Sequence, residues 1–280
     1  MKIAMCVPVM NQQEVTQQWL TSFKTTKDTA ENLIPIIVID NGSNPPVRDW
    51  LIGLEEPDIV VRNQNNIGVL PALNQGWAVA KELGIDYIFY THNDVLMYEQ
   101  GWDAKLLRLI ETTPNVGVAG FYGAKGIGVP GIYDTPYAMH QLIRIENVSN
   151  ARMDMGVHGF RNIRAGEYEE VAVMDGFSLI VSVELLNKVD GFDWRRYPLH
   201  HMYDNDICLE SINAGYKNYV FAMDCQHLGG RTDVGENWAK AFGKEKHEVH
   251  QEAHPPFYEK WHRAHKLAKT KSICLPVRIP

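Results

Sequence analysis

Positive charge is in short supply: 27 lysines and arginines stand against 34 aspartates and glutamates in 280 residues, a net charge of −7. That balance removes the global electrostatic case for a nucleic-acid backbone as partner. Cysteine is scarce as well. Cys6, Cys208, Cys225 and Cys274 lie far apart and form no CxxC pair, so neither a disulfide framework nor a zinc site is indicated. No run approaches the roughly 18 apolar residues of a membrane-spanning helix, and Lys2 to Val7 is too short for the apolar core of a signal peptide. A cytoplasmic protein without a transmembrane segment is expected, and the sequons at Asn41 and Asn147 are then chance matches. No internal repeat is present.

What the chain does have is the make-up of a globular protein, with 45% hydrophobic and 22% charged residues. Ile3 to Val9 is a nearly continuous apolar run, the mark of a strand covered on both faces, which Pro8 should stop. Asn11 is placed to cap a helix over Gln12 to Thr26, where Val15, Trp19 and Phe23 recur every four residues. Ile34 to Ile39 reads as a second buried strand closed by the turn residues Asp40-Asn41-Gly42-Ser43, and Ile59 to Arg62 as a third. A helix opening at Pro71 shows Leu73, Trp77 and Ala80 on one face. Tyr87 to Thr91, a helix over Trp102 to Thr112 and Val116 to Gly120 continue an alternation typical of a doubly wound sheet.

From Phe121 to about Glu170 that rhythm fails, and glycines with Pro130 and Pro136 suggest a long insertion of short strands or loops. Pattern returns at Val171 to Met174, Leu179 to Val181, a helix from Val183 to Lys188, another from Asp204 to Ala214 ended by Gly215, and a strand from Asn218 to Ala222. Residues 231–280 are expected to be a helical and loop extension packed on a domain of residues 1–230. In that tail His247, His250 and His254 share a helical face, which Pro255 and Pro256 should end at once, leaving a solvated face rather than a second metal site. The basic run from Lys260 to Arg278 is likewise read as solvated. Trp238, Phe242, Phe257, Tyr258 and Trp261 would pack the tail down.

The densest chemistry sits after Tyr87-Ile88-Phe89-Tyr90-Thr91, where His92-Asn93-Asp94 places an imidazole, an amide and a carboxylate at a strand's carboxyl end. Ligands of open α/β sheets sit at such ends, and this donor set suits a divalent cation clamped to phosphate oxygens. Taken singly, Asp40 and Asp94 are equally at home in turns, Asp204 as a helix cap and His227 as a structural histidine.

Their order along the chain resembles one family, the GT-A glycosyltransferases of the large inverting family 2, over roughly residues 1 to 120 and 171 to 230. The resemblance implies a GT-A, Rossmann-like α/β fold with a mixed, mostly parallel sheet flanked by helices. It further implies nucleotide contacts at Pro8, Val9 and Asn11, a uracil or thymine contact at Asp40, and ribose and diphosphate contacts at Asn66, Gly68, Asn74 and Asn93. Thr91-His92-Asn93-Asp94 falls on the family's metal-binding Asp-x-Asp with His92 in place of the first aspartate. Asp94, His227 and His92 would then hold Mn²⁺ or Mg²⁺. Tyr203-Asp204-Asn205-Asp206 falls on its Glu-Asp-x-Asp, so that Asp204 becomes the general base and Tyr203, which replaces the glutamate, joins Gly176 on the acceptor side.

The implied reaction is metal-assisted, inverting transfer of a sugar from a UDP- or dTDP-sugar to an acceptor hydroxyl. Asp204 would remove the proton, with the helix N-terminus lowering its pKa. Two imidazoles tilt the metal toward Mn²⁺. The acceptor stays open, with saccharide first and a modified nucleobase, a protein or a lipid-linked glycan behind it. Two rivals are a sugar-nucleotide nucleotidyltransferase and a catalytically silent nucleotide- or glycan-binding module. The former would want a Gly-rich basic loop after the first strand, which Val7-Pro8-Val9-Met10-Asn11 lacks.

Overall fold

Apolar runs near the start of the chain become neighbouring strands of one large sheet. The computed structural model describes residues 1–28, 34–54, 59–128, 143–153, 160–164, 166–197, 199–229, 238–264 and 277–278. Strands β1 (Ile3–Val9), β2 (Ile36–Asn41), β3 (Ile59–Asn63) and β4 (Tyr87–Thr91) lie parallel in the order β4-β1-β2-β3. Helices α1 (Gln13–Thr25), α2 (Pro45–Ile52) and α3 (Val69–Glu82) connect them. Pro8 does not stop β1. Pairing with β4 ends at Cys6, so the missing proline N–H lies beyond that ladder while β2 still pairs through Val9.

The sheet continues past β4 through β12 (Ser178–Ser182), β6 (Val116–Gly120), β13 (Lys217–Phe221) and β10 (Tyr168–Val171), making eight strands. β12 runs antiparallel to β4 and β6, β13 parallel to β6, and β10 antiparallel to β13. The mixed, mostly parallel α/β architecture expected of the sequence is the one found. Helix α4 (Trp102–Thr112) and the ring cluster of Trp19, Phe23, Phe89, Trp102 and Phe121 belong to one apolar core, and Leu70, Leu73, Tyr90 and Cys208 to a second. Gly76 permits α3 to lie on β1, since a Cβ there would sit 2.4 Å from Cys6 Sγ.

A helix follows β2 where only turn residues were anticipated, because Pro45 and Pro46 occupy its first turn, where proline costs no hydrogen bond. Asn11 does not cap α1: Gln12 holds that position in a left-handed conformation, and the Asn11 side chain accepts from the Asn44 N–H at 2.8 Å. Val171 to Met174 is not one strand. β10 joins the large sheet, whereas β11 (Val173–Met174) pairs with β7 (Tyr122–Gly128), which forms a hairpin ladder with β8 (Ile143–Ser149).

Helix α5 (Val183–Val189) is capped by the Ser182 hydroxyl, and α6 (Tyr203–Asn213) is buried along nearly its whole first half. In the tail, α7 (Lys246–Ala264) continues straight through Pro255 and Pro256 instead of stopping there. Each proline deletes an N–H bond of the helix. Burial of Phe257 and Trp261 in the same core as Leu70 and Tyr90, with the Arg196 guanidinium on the Pro256 carbonyl at 3.3 Å, offsets that loss. Among the described residues no helix is long and apolar enough to cross a membrane.

Candidate active site

β-Pairing assembles the polar centre. Short strand β5 (Val95–Met97) pairs antiparallel with β14 (Cys225–His227), which β9 (Arg152–Met153) flanks on its other side, opposing Val95 to His227 and so delivering His227 beside Asp94 across 133 residues of chain. The strand end is fixed by Asn93, whose amide donates to Thr16 Oγ1 on α1 at 2.9 Å, and by the Leu228 N–H on the Asp94 carbonyl. Phe177 stacks on the His227 ring with centroids 4.6 Å apart and planes 14° from parallel.

His227 Nε2 lies 3.3 Å and His92 Nδ1 3.9 Å from Asp94 Oδ1, and one donor atom from each residue falls within 4.8 Å of the others. Ligands held about 2.0–2.2 Å from a first-row cation sit roughly 3–4 Å from one another, the range of the two separations from Asp94 Oδ1. Burial, with the neighbouring His227, pushes the His92 pKa down against the pull of Asp94. The neutral imidazole this favours is the form that ligates metals.

Beside the three residues opens a pocket of about 460 Å³, within the range of small-molecule sites. Pro8, Val9 and Met10 from the end of β1 form one wall, and Asn41, Asn66 and Gly68 another. Gly68, with φ +89°, directly precedes α3 and donates its N–H back to Asn66 Oδ1 at 2.9 Å. Asn66 is itself held by Asn41 Nδ2 at 2.9 Å, and Asn41 by Asn63 Nδ2 at 3.2 Å. The asparagines therefore present a preorganised polar rim.

The third wall was not read from the sequence. His200, His201, Lys246, His247 and His250 complete the pocket. The rings of His200 and His201 stack at 4.5 Å, His250 sits edge-on to His201 at 4.8 Å, and His254 is buried behind them with Nδ1 on the His250 carbonyl at 2.8 Å. Of the tail histidines His247 and His250 are exposed, as a solvated face requires, although both also line the pocket, whereas His254 is buried because α7 runs on past its prolines. Lys260 is not solvated either: it contacts Asp206 and Glu210, each at 2.8 Å. Lys266, Lys269 and Lys271 fall outside the described residues.

Other anticipated residues lie elsewhere. Asp40 is buried at the end of β2, bound to the Arg62 guanidinium and to the Ser43 N–H at 2.9 Å, and does not line the pocket. Asn74 spends both ends of its amide on the Phe192 backbone, at 2.9 and 2.8 Å. Tyr203 is buried against Gly176, whose missing side chain makes room for it, since a Cβ would lie 2.3 Å from the tyrosine oxygen.

Asp204 opens α6 next to Tyr203. Its Oδ2 accepts from Arg144 Nη2 at 2.7 Å and from the Gly176 N–H at 3.1 Å, and its Oδ1 from the Asn205 N–H at 2.8 Å and Asn205 Nδ2 at 3.1 Å. The Asn205 N–H at the start of the helix does pull this carboxyl down, as anticipated, but burial outweighs it. Burial raises its pKa, with the Arg144 charge pulling the other way and that of Asp175 adding to the rise. Arg144 also binds Asp175 at 2.6 Å and holds that carboxyl low, at about 2. No periodicity or motif in the irregular segment marked Arg144 in advance.

Residues 61–254 match a sequence family described as a glycosyltransferase-like family. No curated protein sequence matches the chain significantly. Among solved structures, GalNAc-T7 with UDP, GalNAc and Mn²⁺ is 11% identical, with a TM-score of 0.59 over 81% of this chain and 44% of that one. The mannosyltransferase PcManGT from Pyrobaculum calidifontis, in complex with GDP-Man and Mn²⁺, is 16% identical, with 0.53 over 95% and 75%. TarS from S. aureus is 12% identical, with 0.54 over 89% and 38%. The chain spans less than half the length of the first and third. At these identities the likeness is one of fold.

Proposed function

The chain belongs to the glycosyltransferase-like family and has the GT-A fold, and from that premise we propose that it moves a sugar from a nucleoside diphosphate to an acceptor hydroxyl with inversion. The observation that carries this reading is the convergence of His92, Asp94 and His227 at the mouth of a pocket walled by the ends of β1 and β2. Strand ends of such a sheet are where nucleotides bind.

A divalent cation held by His92, Asp94 and His227 would offset the negative charge that grows on the diphosphate as it leaves. Two imidazoles in the set favour Mn²⁺ over Mg²⁺. Pro8, Val9 and Met10 offer an apolar face to the base, and the amides of Asn41 and Asn66 offer polar contacts. UDP- and dTDP-sugars are the first donors to try. Because Asp40 is engaged by Arg62, selection of the base falls to the asparagine rim.

Asp204 is the proposed general base. An Asp carboxylate has about four acceptor positions, and all four are occupied here. To accept the hydroxyl proton it gives up one, and the Asn205 side-chain amide at 3.1 Å is one of the two longest contacts. The raised pKa makes it a stronger base than an exposed aspartate. The same saturation is what favours a second reading, a nucleotide-binding module without turnover.

Hydrolysis of UDP- and dTDP-sugars with Mn²⁺ separates the two. A transferase releases the nucleoside diphosphate slowly, and Asp204→Asn lowers that rate by at least ten-fold. A chain that binds nucleotide but never releases sugar would be the module.

A further inference from the structure

Tyr203 stands between two functional groups without belonging to either. Its hydroxyl lies 3.4 Å from His92 Nε2 and 3.5 Å from the Gly176 carbonyl oxygen. Its ring is 3% exposed, edge-on to Phe192 at 6.1 Å and near His200 at 5.7 Å. Space for the phenol head exists only because residue 176 has no side chain: a Cβ there would lie 2.3 Å from the tyrosine oxygen and 2.8 Å from Cζ.

The direction of the hydrogen bonds follows from what each partner is able to do. A backbone carbonyl only accepts, so a bond to Gly176 O uses the one tyrosine proton and turns a lone pair of the same oxygen toward His92. His92 Nε2 must then be the donor. A neutral imidazole carries one N–H, which leaves Nδ1 bare on the side where Asp94 Oδ1 lies 3.9 Å away.

We propose that Tyr203 is a positioning residue for the cation site: by accepting the Nε2 proton of His92 it fixes the tautomer and ring orientation that present Nδ1 as the ligand atom, in the space Gly176 leaves open. This rests on the metal site proposed above and adds to it a residue that is not a ligand. Partners that hold the second nitrogen of a ligating histidine commonly alter metal affinity by about 10- to 100-fold when removed. At 3.4 Å the contact is long, so the lower end of that range is expected. Tyr203 also begins α6 directly before Asp204, so one side chain ties the cation site to the helix that carries the proposed base.

The test measures Mn²⁺ binding to the full chain by electron paramagnetic resonance of the free ion, for wild type, Tyr203→Phe, His92→Ala and the double variant. Tyr203→Phe keeps the ring and removes only the hydroxyl, and its metal-free melting temperature should match wild type. It is expected to bind Mn²⁺ about ten-fold more weakly, and to cause no further loss when His92 is already alanine. In the metal-free protein, ¹⁵N-histidine spectra should show His92 protonated at Nε2 in wild type and as a mixture of tautomers in Tyr203→Phe.

Equal Mn²⁺ affinity in wild type and Tyr203→Phe, with His92→Ala weaker than both, would overturn the role of Tyr203 and leave the metal site standing. A predominantly Nδ1-protonated His92 in the wild type would overturn it as well. If His92→Ala bound Mn²⁺ as wild type does, the metal reading would fall, and the role of Tyr203 with it.

Discussion

Arg144 Nη2 donates to Asp204 Oδ2 at 2.7 Å, from a strand 60 residues earlier in the chain. Its Nη1 holds Asp175 at 2.6 Å, so one guanidinium serves two carboxylates at the start of α6. Removing it as Arg144→Met would leave both without their counter-charge. Burial and the Asp175 charge would then act on Asp204 against only the Asn205 N–H and raise its pKa further. A base works as the carboxylate, so the acid limb of the pH–rate profile for UDP-sugar hydrolysis should move to higher pH by at least about one unit. Uncompensated buried charge should also lower stability by about 3–5 kcal/mol. An acid limb that stays in place would remove Asp204 from the role of base.

Asn74 bonds the Phe192 backbone at both ends of its amide, directly after Gly191 with φ +79°. Its task in this geometry is to hold that turn against α3. Asn74→Ala should therefore cost about 1–3 kcal/mol in urea unfolding, the penalty for an unsatisfied backbone pair, while UDP affinity at saturating Mn²⁺ stays within two-fold. Intact stability with a ten-fold loss of UDP affinity would instead restore Asn74 to the nucleotide site.

Asp206 is buried and carries Lys260 at 2.8 Å, Trp261 Nε1 at 2.7 Å and the Tyr197 hydroxyl at 3.2 Å, tying α7 to α6. Burial lifts its pKa from 3.8 to about 6 despite the Lys260 charge. A carboxyl with a raised folded-state value contributes stability that is present below the unfolded pKa and is lost as pH rises through the folded one. Wild type should accordingly lose stability relative to Asp206→Asn between about pH 4 and pH 6, by roughly 3 kcal/mol at 1.36 kcal/mol per pH unit. Parallel stability curves across that window, measured by urea titration at each pH, would show that Asp206 is not shifted in the folded chain.

The large sheet could be read from the sequence because its strands are short unbroken apolar runs, and two-sided burial leaves that mark without help from distant residues. The polar tip at His92-Asn93-Asp94 was visible for the same reason, as charge at the end of such a run. Prolines misled in two places. Pro8 is tolerated where its missing N–H falls outside a ladder, and the loss at Pro255-Pro256 is offset by burial of Phe257 and Trp261; Pro45-Pro46, in the first turn of α2, went unread.

Partnership was the harder quantity. Asp40 lies where a base-contacting carboxylate was expected, but Arg62 occupies it, and only β2–β3 pairing brings the two together. The rise in the Asp204 pKa depends on burial that no local pattern shows, and Arg144 on a hairpin inside an aperiodic segment. His247 and His250 of α7 are exposed as their helical spacing implied, but no local pattern shows that this face turns toward the cleft or that His254 is buried.

The proposed transfer depends on a cation-assisted nucleoside-diphosphate pocket at His92, Asp94 and His227. The most direct measurement is calorimetric titration of UDP, dTDP, GDP and CDP into the full chain with and without Mn²⁺, in wild type and Asp94→Ala. UDP or dTDP should bind only with Mn²⁺ in the wild type and should not bind in the variant. Failure of every nucleotide to bind, or binding indifferent to both Mn²⁺ and Asp94, would contradict the account.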